Sequence, residues 1–129
     1  MRLLLDTCTL LWLSSNPALL SARAQAALAE ENSELFFSPI SALEIGIKQR
    51  KGRLILPDLA ARWFPQVVAA MGAREVPVVA AIALTAAALE WEHRDPADRI
   101  IVATALREGM PVVTSDSAIA NYHAVQVVW

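Results

Sequence analysis

The run Leu3-Leu4-Leu5, with Arg2 before it and Asp6 after it, restricts most strongly what this chain can become. Three consecutive large apolar residues leave no polar face, so the run reads as a strand covered on both sides, as in a parallel sheet sandwiched between helices. A carboxylate closing such a strand points toward the crevice at the carboxyl edge, where open α/β sheets hold their ligands. What else reaches that edge decides the chemistry.

Strand and helix patterns alternate along the rest of the chain. Thr9 to Ser14 reads as a short helix ending in the turn at Pro17, and Ser21 caps an alanine-rich helix to about Glu31. Leu35 to Phe37 is a second buried strand. Ser38 and Pro39 then open a helix to about Lys51 that stops at Gly52; Ile40, Leu43 and Ile47 share its expected buried face, with Glu44 on the same side. Pro57-Asp58 begins another helix, to Met71, with Pro65 expected to kink or split it. A strand at about Arg74 to Val78 leads into a helix from about Ala80 to Trp91. Asp95, Pro96 and Asp98 supply the cap, first position and first-turn acid of a helix ending at Gly109. Pro111 to Asp116 is a fourth strand, a short helix runs to Tyr122, and Val125 to Val128 is the last strand. Such alternation predicts an α/β fold with a parallel sheet, right-handed crossovers and helices on both faces.

At 129 residues the chain is expected to be one domain, spanning 1–129. Hydrophobic residues make up 56%, above the usual share of roughly half, so apolar surface is left over for a partner or a self-interface. No membrane span is expected, because the most apolar uncharged run, Val76 to Leu89, is too short to cross a bilayer and carries Pro77. Asp6 interrupts what would otherwise pass for a signal peptide, so the expected location is cytoplasmic. A lone Cys8 allows neither a disulfide framework nor a cysteine metal pair and reads as a small buried hydrophobe. The net charge of −2 removes bulk attraction to nucleic acid, so a bound polyanion would need cations or a local basic patch.

Four acids can meet at the sheet edge. Asp6 and Asp116 end strands, Asp98 sits at a helix start, and Glu44 lies about two turns into a helix. Taken singly, each has an ordinary explanation as a cap or a solvated residue. Together they form a site that must be neutralised, since two unit charges about 4 Å apart repel by about 4 kcal/mol at an effective dielectric near 20. Oxygen ligands without cysteine or paired histidine favour Mg²⁺ or Mn²⁺ over zinc. Such ions serve phosphoryl chemistry by polarising the phosphate, activating water and stabilising the leaving oxygen. No serine, cysteine or lysine nucleophile with an adjacent base is visible, so hydrolysis by activated water is the economical reading.

Several stretches resemble a known family: Asp6-Thr7 after a leucine strand, Ser41-Ala-Leu-Glu44-Ile-Gly-Ile-Lys48, His93-Arg-Asp95-Pro-Ala-Asp98-Arg99, Thr114-Ser115-Asp116 and the closing Val-Gln-Val-Val-Trp129. Together they look like a PIN domain of the VapC toxin type, over essentially the whole chain. The resemblance implies a five-stranded sheet of order 3-2-1-4-5. It also implies a metal-dependent endoribonuclease acting on RNA and restrained by a cognate VapB-type antitoxin, in a homodimer or a toxin–antitoxin hetero-oligomer. The acidic metal site carried over is Asp6, Glu44, Asp98 and Asp116, accompanied by Thr7 and Thr114.

The alternative is a catalytically inert α/β regulatory or binding domain holding a structural divalent ion. A receiver domain would need an Asp after the third strand and a Lys after a late one. A haloacid-dehalogenase-like phosphatase would need Asp-x-Asp where this chain has Asp6-Thr-Cys8.

Other residues carry weaker expectations. Arg99 either binds a scissile phosphate or pairs with a neighbouring acid. Asp95 is a cap, with a possible hold on Arg99 or a metal-bound water. His93 and His123 are read as uncommitted. Lys48, Arg50, Lys51 and Arg53 cluster at a helix end, where the dipole alone favours cations and RNA backbone contact is the sharper reading. Trp12, Trp63, Phe64 and Trp129 are core candidates, with Trp63 and Phe64 also offered as the lining of a groove for an antitoxin helix.

Overall fold

The computed structural model describes residues 1–129. Its strands are β1 (Arg2–Leu5), β2 (Glu34–Phe37), β3 (Arg74–Glu75), β4 (Val112–Val113) and β5 (Val127–Val128). The helices are α1 (Thr7–Ser15), α2 (Ala22–Ala29), α3 (Pro39–Arg50), α4 (Ala60–Ala70), α5 (Ala80–Ala88), α6 (Pro96–Glu108) and α7 (Ser117–Ala120), with a 3-10 turn at Pro17–Leu19. All strand pairs are parallel and the order is β3-β2-β1-β4-β5.

Alternation along the strands builds two cores, one on each face. Leu4, Phe36 and Val112 pack against α5, α6 and α7. Leu3, Leu5, Phe37 and Val113 pack against α1 to α4. The central strand β1 therefore has no solvated side, and Leu3, Leu4 and Leu5 are all fully buried. The order reverses between β1 and β4, so the topological switch point lies between the strands that Asp6 and Thr114 follow.

Three expectations change at the level of elements. Helix α1 starts at Thr7, two residues early, because Asp6 itself caps it. Helix α4 starts at Ala60 and not at Pro57-Asp58, because its end is satisfied from another helix: Gln49 Oε1 accepts the Ala60 N–H at 2.8 Å, while Gln49 Nε2 donates to the Asp58 carbonyl at 2.8 Å. Helix α4 also runs unbroken across Pro65.

The phase of α3 differs as well. Ser41 and Ile45 are buried, whereas Leu43 is 56% and Ile47 43% exposed. The inward face is turned to deliver Ser41 and Glu44 to a polar edge, so apolar residues alone misreport its phase. The last three strands are shorter than expected, with two residues each in β3, β4 and β5.

Phe64 is a core residue, packed edge-on to Phe37 with ring centroids 5.3 Å apart. An apolar groove of about 620 Å³ lies elsewhere, between Leu13, Leu20, Leu28, Val67 and Met71, and neither Trp63 nor Phe64 lines it. Trp12 and Trp129 pack together at 5.8 Å. No helix is long and apolar enough to cross a membrane.

Candidate active site

The edge is assembled around Asp6. Its Oδ1 accepts the Thr7 N–H at 2.7 Å, the capping bond of α1, and its Oδ2 accepts the Thr114 hydroxyl at 2.6 Å. Thr114 follows β4, the neighbour of β1, so one buried bond joins the carboxyl ends of both central strands. The Thr114 oxygen in turn accepts the Asp116 N–H at 3.0 Å. Asp116 Oδ1 caps α7 by accepting from Ala118 at 2.8 Å and Ile119 at 3.2 Å.

From the other side, α3 brings Glu44, whose Oε1 accepts the Thr7 hydroxyl at 2.6 Å. Thr7 has a single O–H proton, so with that proton on Glu44 its contact with the buried Ser41 hydroxyl at 2.8 Å is one in which Thr7 accepts. Ser41 is thus part of the edge, a role its sequence position gives no sign of.

Asp98 arrives in the first turn of α6, which Asp95 opens by accepting from the Ala97 and Asp98 N–H groups. Asp95 is thus the expected cap. His93, read from sequence as uncommitted, is not: its Nε2 lies 2.7 Å from Asp98 Oδ2. A residue two positions before a helix cap folds back over the first turn, and that spacing is the signal that could have found it.

The electrostatics show the acids acting on one another. Burial pushes the Asp6 carboxyl up, bonds from Thr114 and Thr7 oppose it, and the Asp116 charge adds to it. Burial likewise raises Glu44, against the Thr7 bond and Lys48 and with the help of Asp6 and Asp95. Asp98 is pushed up to about 6, by burial first and then by Asp95, Asp6 and Asp116, while the His93 bond works the other way. The four acids share one edge without converging on a single point. The three side chains whose ligand atoms lie within 4.8 Å of one another are His93, Asp95 and Asp98.

A hard divalent cation fits this donor set. Glu44 Oε2, Asp98 Oδ1 and Asp116 Oδ2 accept no hydrogen bond from the protein and keep their lone pairs free. Capping and metal ligation are therefore compatible on the same side chain. Cys8 offers no thiolate instead, because burial and the Asp6 charge push its thiol up.

The basic residues separate into three roles. Arg99 pairs with no acid, contrary to one expectation, and has no free donor for a phosphate, contrary to the other. Its guanidinium donates to the carbonyls of Ala86 (2.9 Å), Ala87 (3.4 Å), Leu89 (2.8 Å), Trp91 (2.8 Å) and His93 (2.9 Å), which uses every N–H it has. Lys48 is half-buried one turn beyond Glu44 and lowers the Asp6 and Glu44 carboxyls. Arg50, Lys51 and Arg53 are exposed at and beyond the end of α3.

Comparison with known proteins places these features in a family. The model of the family described as PIN domain matches residues 3–124. Ribonuclease VapC22 of Mycobacterium tuberculosis is 35% identical over 122 residues, covering 92% of this chain and 90% of that protein. Among solved structures, VapBC2 from Rickettsia felis bound to a DNA fragment from their promoter aligns with a TM-score of 0.71 at 15% identity, covering 98% of this chain and 97% of that one. A toxin-antitoxin complex from Klebsiella pneumoniae aligns with a TM-score of 0.65 at 22% identity, covering 98% and 95%. At those identities the two structures speak for the fold.

Proposed function

The chain belongs to the PIN domain family, in its VapC-type branch, and from that premise we propose that residues 1–129 act as one domain, a metal-dependent endoribonuclease that is the toxin of a toxin–antitoxin pair. Its substrate is RNA and its partner a VapB-type antitoxin, with self-association as a homodimer or within a toxin–antitoxin hetero-oligomer. The observation that carries the site assignment is the hydrogen-bonded edge itself, in which Thr114 links Asp6 to Asp116 and the Thr7 hydroxyl holds Glu44 beside them, while Glu44, Asp98 and Asp116 each keep one carboxylate oxygen free. Asp6, Glu44, Asp98 and Asp116 would hold the ion, and Mg²⁺ or Mn²⁺ suits their oxygen donors.

When bound, a divalent ion supplies Lewis-acid polarisation of the phosphodiester and lowers the pKa of the attacking water. The chain's own residues prepare the place. Thr114 and the Thr7 backbone hold Asp6 still; the Thr7 hydroxyl, itself backed by Ser41, does the same for Glu44. Lys48 tempers the negative field at the inner end of the cluster. Arg50, Lys51 and Arg53 give the RNA backbone a cationic approach that the net charge of −2 does not. Action in the cytoplasm agrees with an RNA substrate.

The test is cleavage of a defined RNA by the purified protein with Mg²⁺, Mn²⁺ or EDTA. Asp6→Asn and Asp98→Asn should each lower kcat/KM by at least about 100-fold, about 2.7 kcal/mol of transition-state stabilisation, with the fold intact by circular dichroism. Replacing Arg50, Lys51 and Arg53 with Gln should weaken RNA binding and flatten its salt dependence. Wild-type protein that cleaves no RNA with either ion would leave the inert binding domain as the better reading.

A further inference from the structure

We infer that His93 is a positioning residue for Asp98: its imidazole fixes the carboxylate in the orientation a divalent ion needs, and Arg99 in turn fixes His93. The inference rests on Asp98 being a metal ligand, as proposed above.

Two contacts hold the imidazole and a third holds the His93 main chain. Its Nε2 lies 2.7 Å from Asp98 Oδ2, with the two side chains 30% and 13% exposed, so little water competes for the bond. The ring packs on Trp91, centroids 4.8 Å apart, and Trp91 packs on Tyr122 at the same distance. Finally, the His93 carbonyl accepts from Arg99 Nη1 at 2.9 Å, and the Trp91 carbonyl accepts from the same nitrogen at 2.8 Å.

Arg99 is the residue after Asp98. The covalent backbone, the guanidinium, the His93 main chain and the imidazole therefore form a closed loop that begins and ends on Asp98. A lone carboxylate on the first turn of a helix, surrounded by Asp95, Asp6 and Asp116, has no other protein donor to select its rotamer. The imidazole occupies Oδ2 and leaves Oδ1 free. Outer contacts of this kind orient a metal-binding carboxylate, and losing one typically costs about 10–100-fold in metal affinity.

The experiment is calorimetric titration of Mn²⁺ into the full chain without RNA. Its variants are His93→Phe, which keeps the ring against Trp91 and loses the donor, and His93→Gln, which keeps a donor and loses the ring. Phe should raise the Mn²⁺ Kd by about 10–100-fold, and Gln should bring it back to within about threefold of wild type. A purely structural histidine would move the melting temperature of the metal-free protein and leave Kd alone. Unchanged Kd in the Phe variant, or Gln binding as weakly as Phe, overturns the inference. Failure of the metal-site reading itself looks different: wild type would bind no Mn²⁺, or Asp98→Asn would bind as tightly as wild type.

Discussion

Thr114 carries more of the edge than its size suggests. It is 1% exposed, donates to Asp6 Oδ2 and accepts from the Asp116 backbone, so two acids are oriented through one hydroxyl. Thr114→Val keeps the shape and removes both functions. A buried carboxylate that loses its donor costs about 1–3 kcal/mol, and this variant should lose that much in urea denaturation. It should also bind Mn²⁺ more weakly at pH 7, because the Asp6 carboxyl is already raised by burial and the Thr114 bond is the largest influence lowering it. Unchanged stability and metal binding would show that Asp6 is held by its Thr7 capping bond alone.

At the scale of elements, Arg99 acts as a clasp between helices α5 and α6. Its five bonds reach the last residues of α5 and the segment that leads to the Asp95 cap, satisfying carbonyls that a helix end otherwise leaves open. Lysine has three donors on a point charge and cannot copy a planar fork across that many carbonyls. Arg99→Lys is therefore expected to cost about 2–4 kcal/mol in global stability, with faster amide exchange in 89–93 than in β1. Equal exchange in both would mean that the clasp is redundant. The trans cap on α4 has the same logic, since Gln49 of α3 completes a helix that carries no cap of its own. Both arrangements join elements whose partners are set by the fold and not by nearby sequence.

For the whole molecule, the clustered acids couple stability to pH and to metal. Asp98 has a folded pKa of about 6 against an ordinary value of 3.8, so between those pH values the folded state binds more protons than the unfolded one. Stability from this group is then fully present below its unfolded pKa and lost as pH rises through about 6. Asp6 and Glu44 are shifted the same way. The metal-free protein should therefore melt at a lower temperature at about pH 7 than at about pH 5, and Asp98→Asn should remove much of that slope. Saturating Mn²⁺ at neutral pH should reverse it, adding about 2.7 kcal/mol at a hundredfold excess over Kd, and EDTA should undo the gain. A melting temperature indifferent to both pH and metal would show that the acids do not share a site. The apolar surplus also has its outlet at this scale: Leu43, Ile55 and Leu84 remain exposed at 56%, 94% and 69%, which agrees with a chain that works in an assembly.

The sequence by itself determined the layered plan and the placement of Asp6, Asp98 and Asp116 at strand ends and a helix start. Both follow from local signals: apolar runs of strand length, caps such as Ser21, Ser38 and Asp95, and acids placed where strands end or helices begin. Tertiary structure decided what those acids touch. The inward phase of α3 was set by polar contacts among Glu44, Ser41 and Thr7, which apolar periodicity cannot report. The assignment of Arg99 to backbone carbonyls and of His93 to Asp98 depended on how the end of α5 lies over the start of α6. Hydrogen bonds between distant segments form only after the hydrophobic layers have brought those segments together, so their partners are not written in any one stretch of chain.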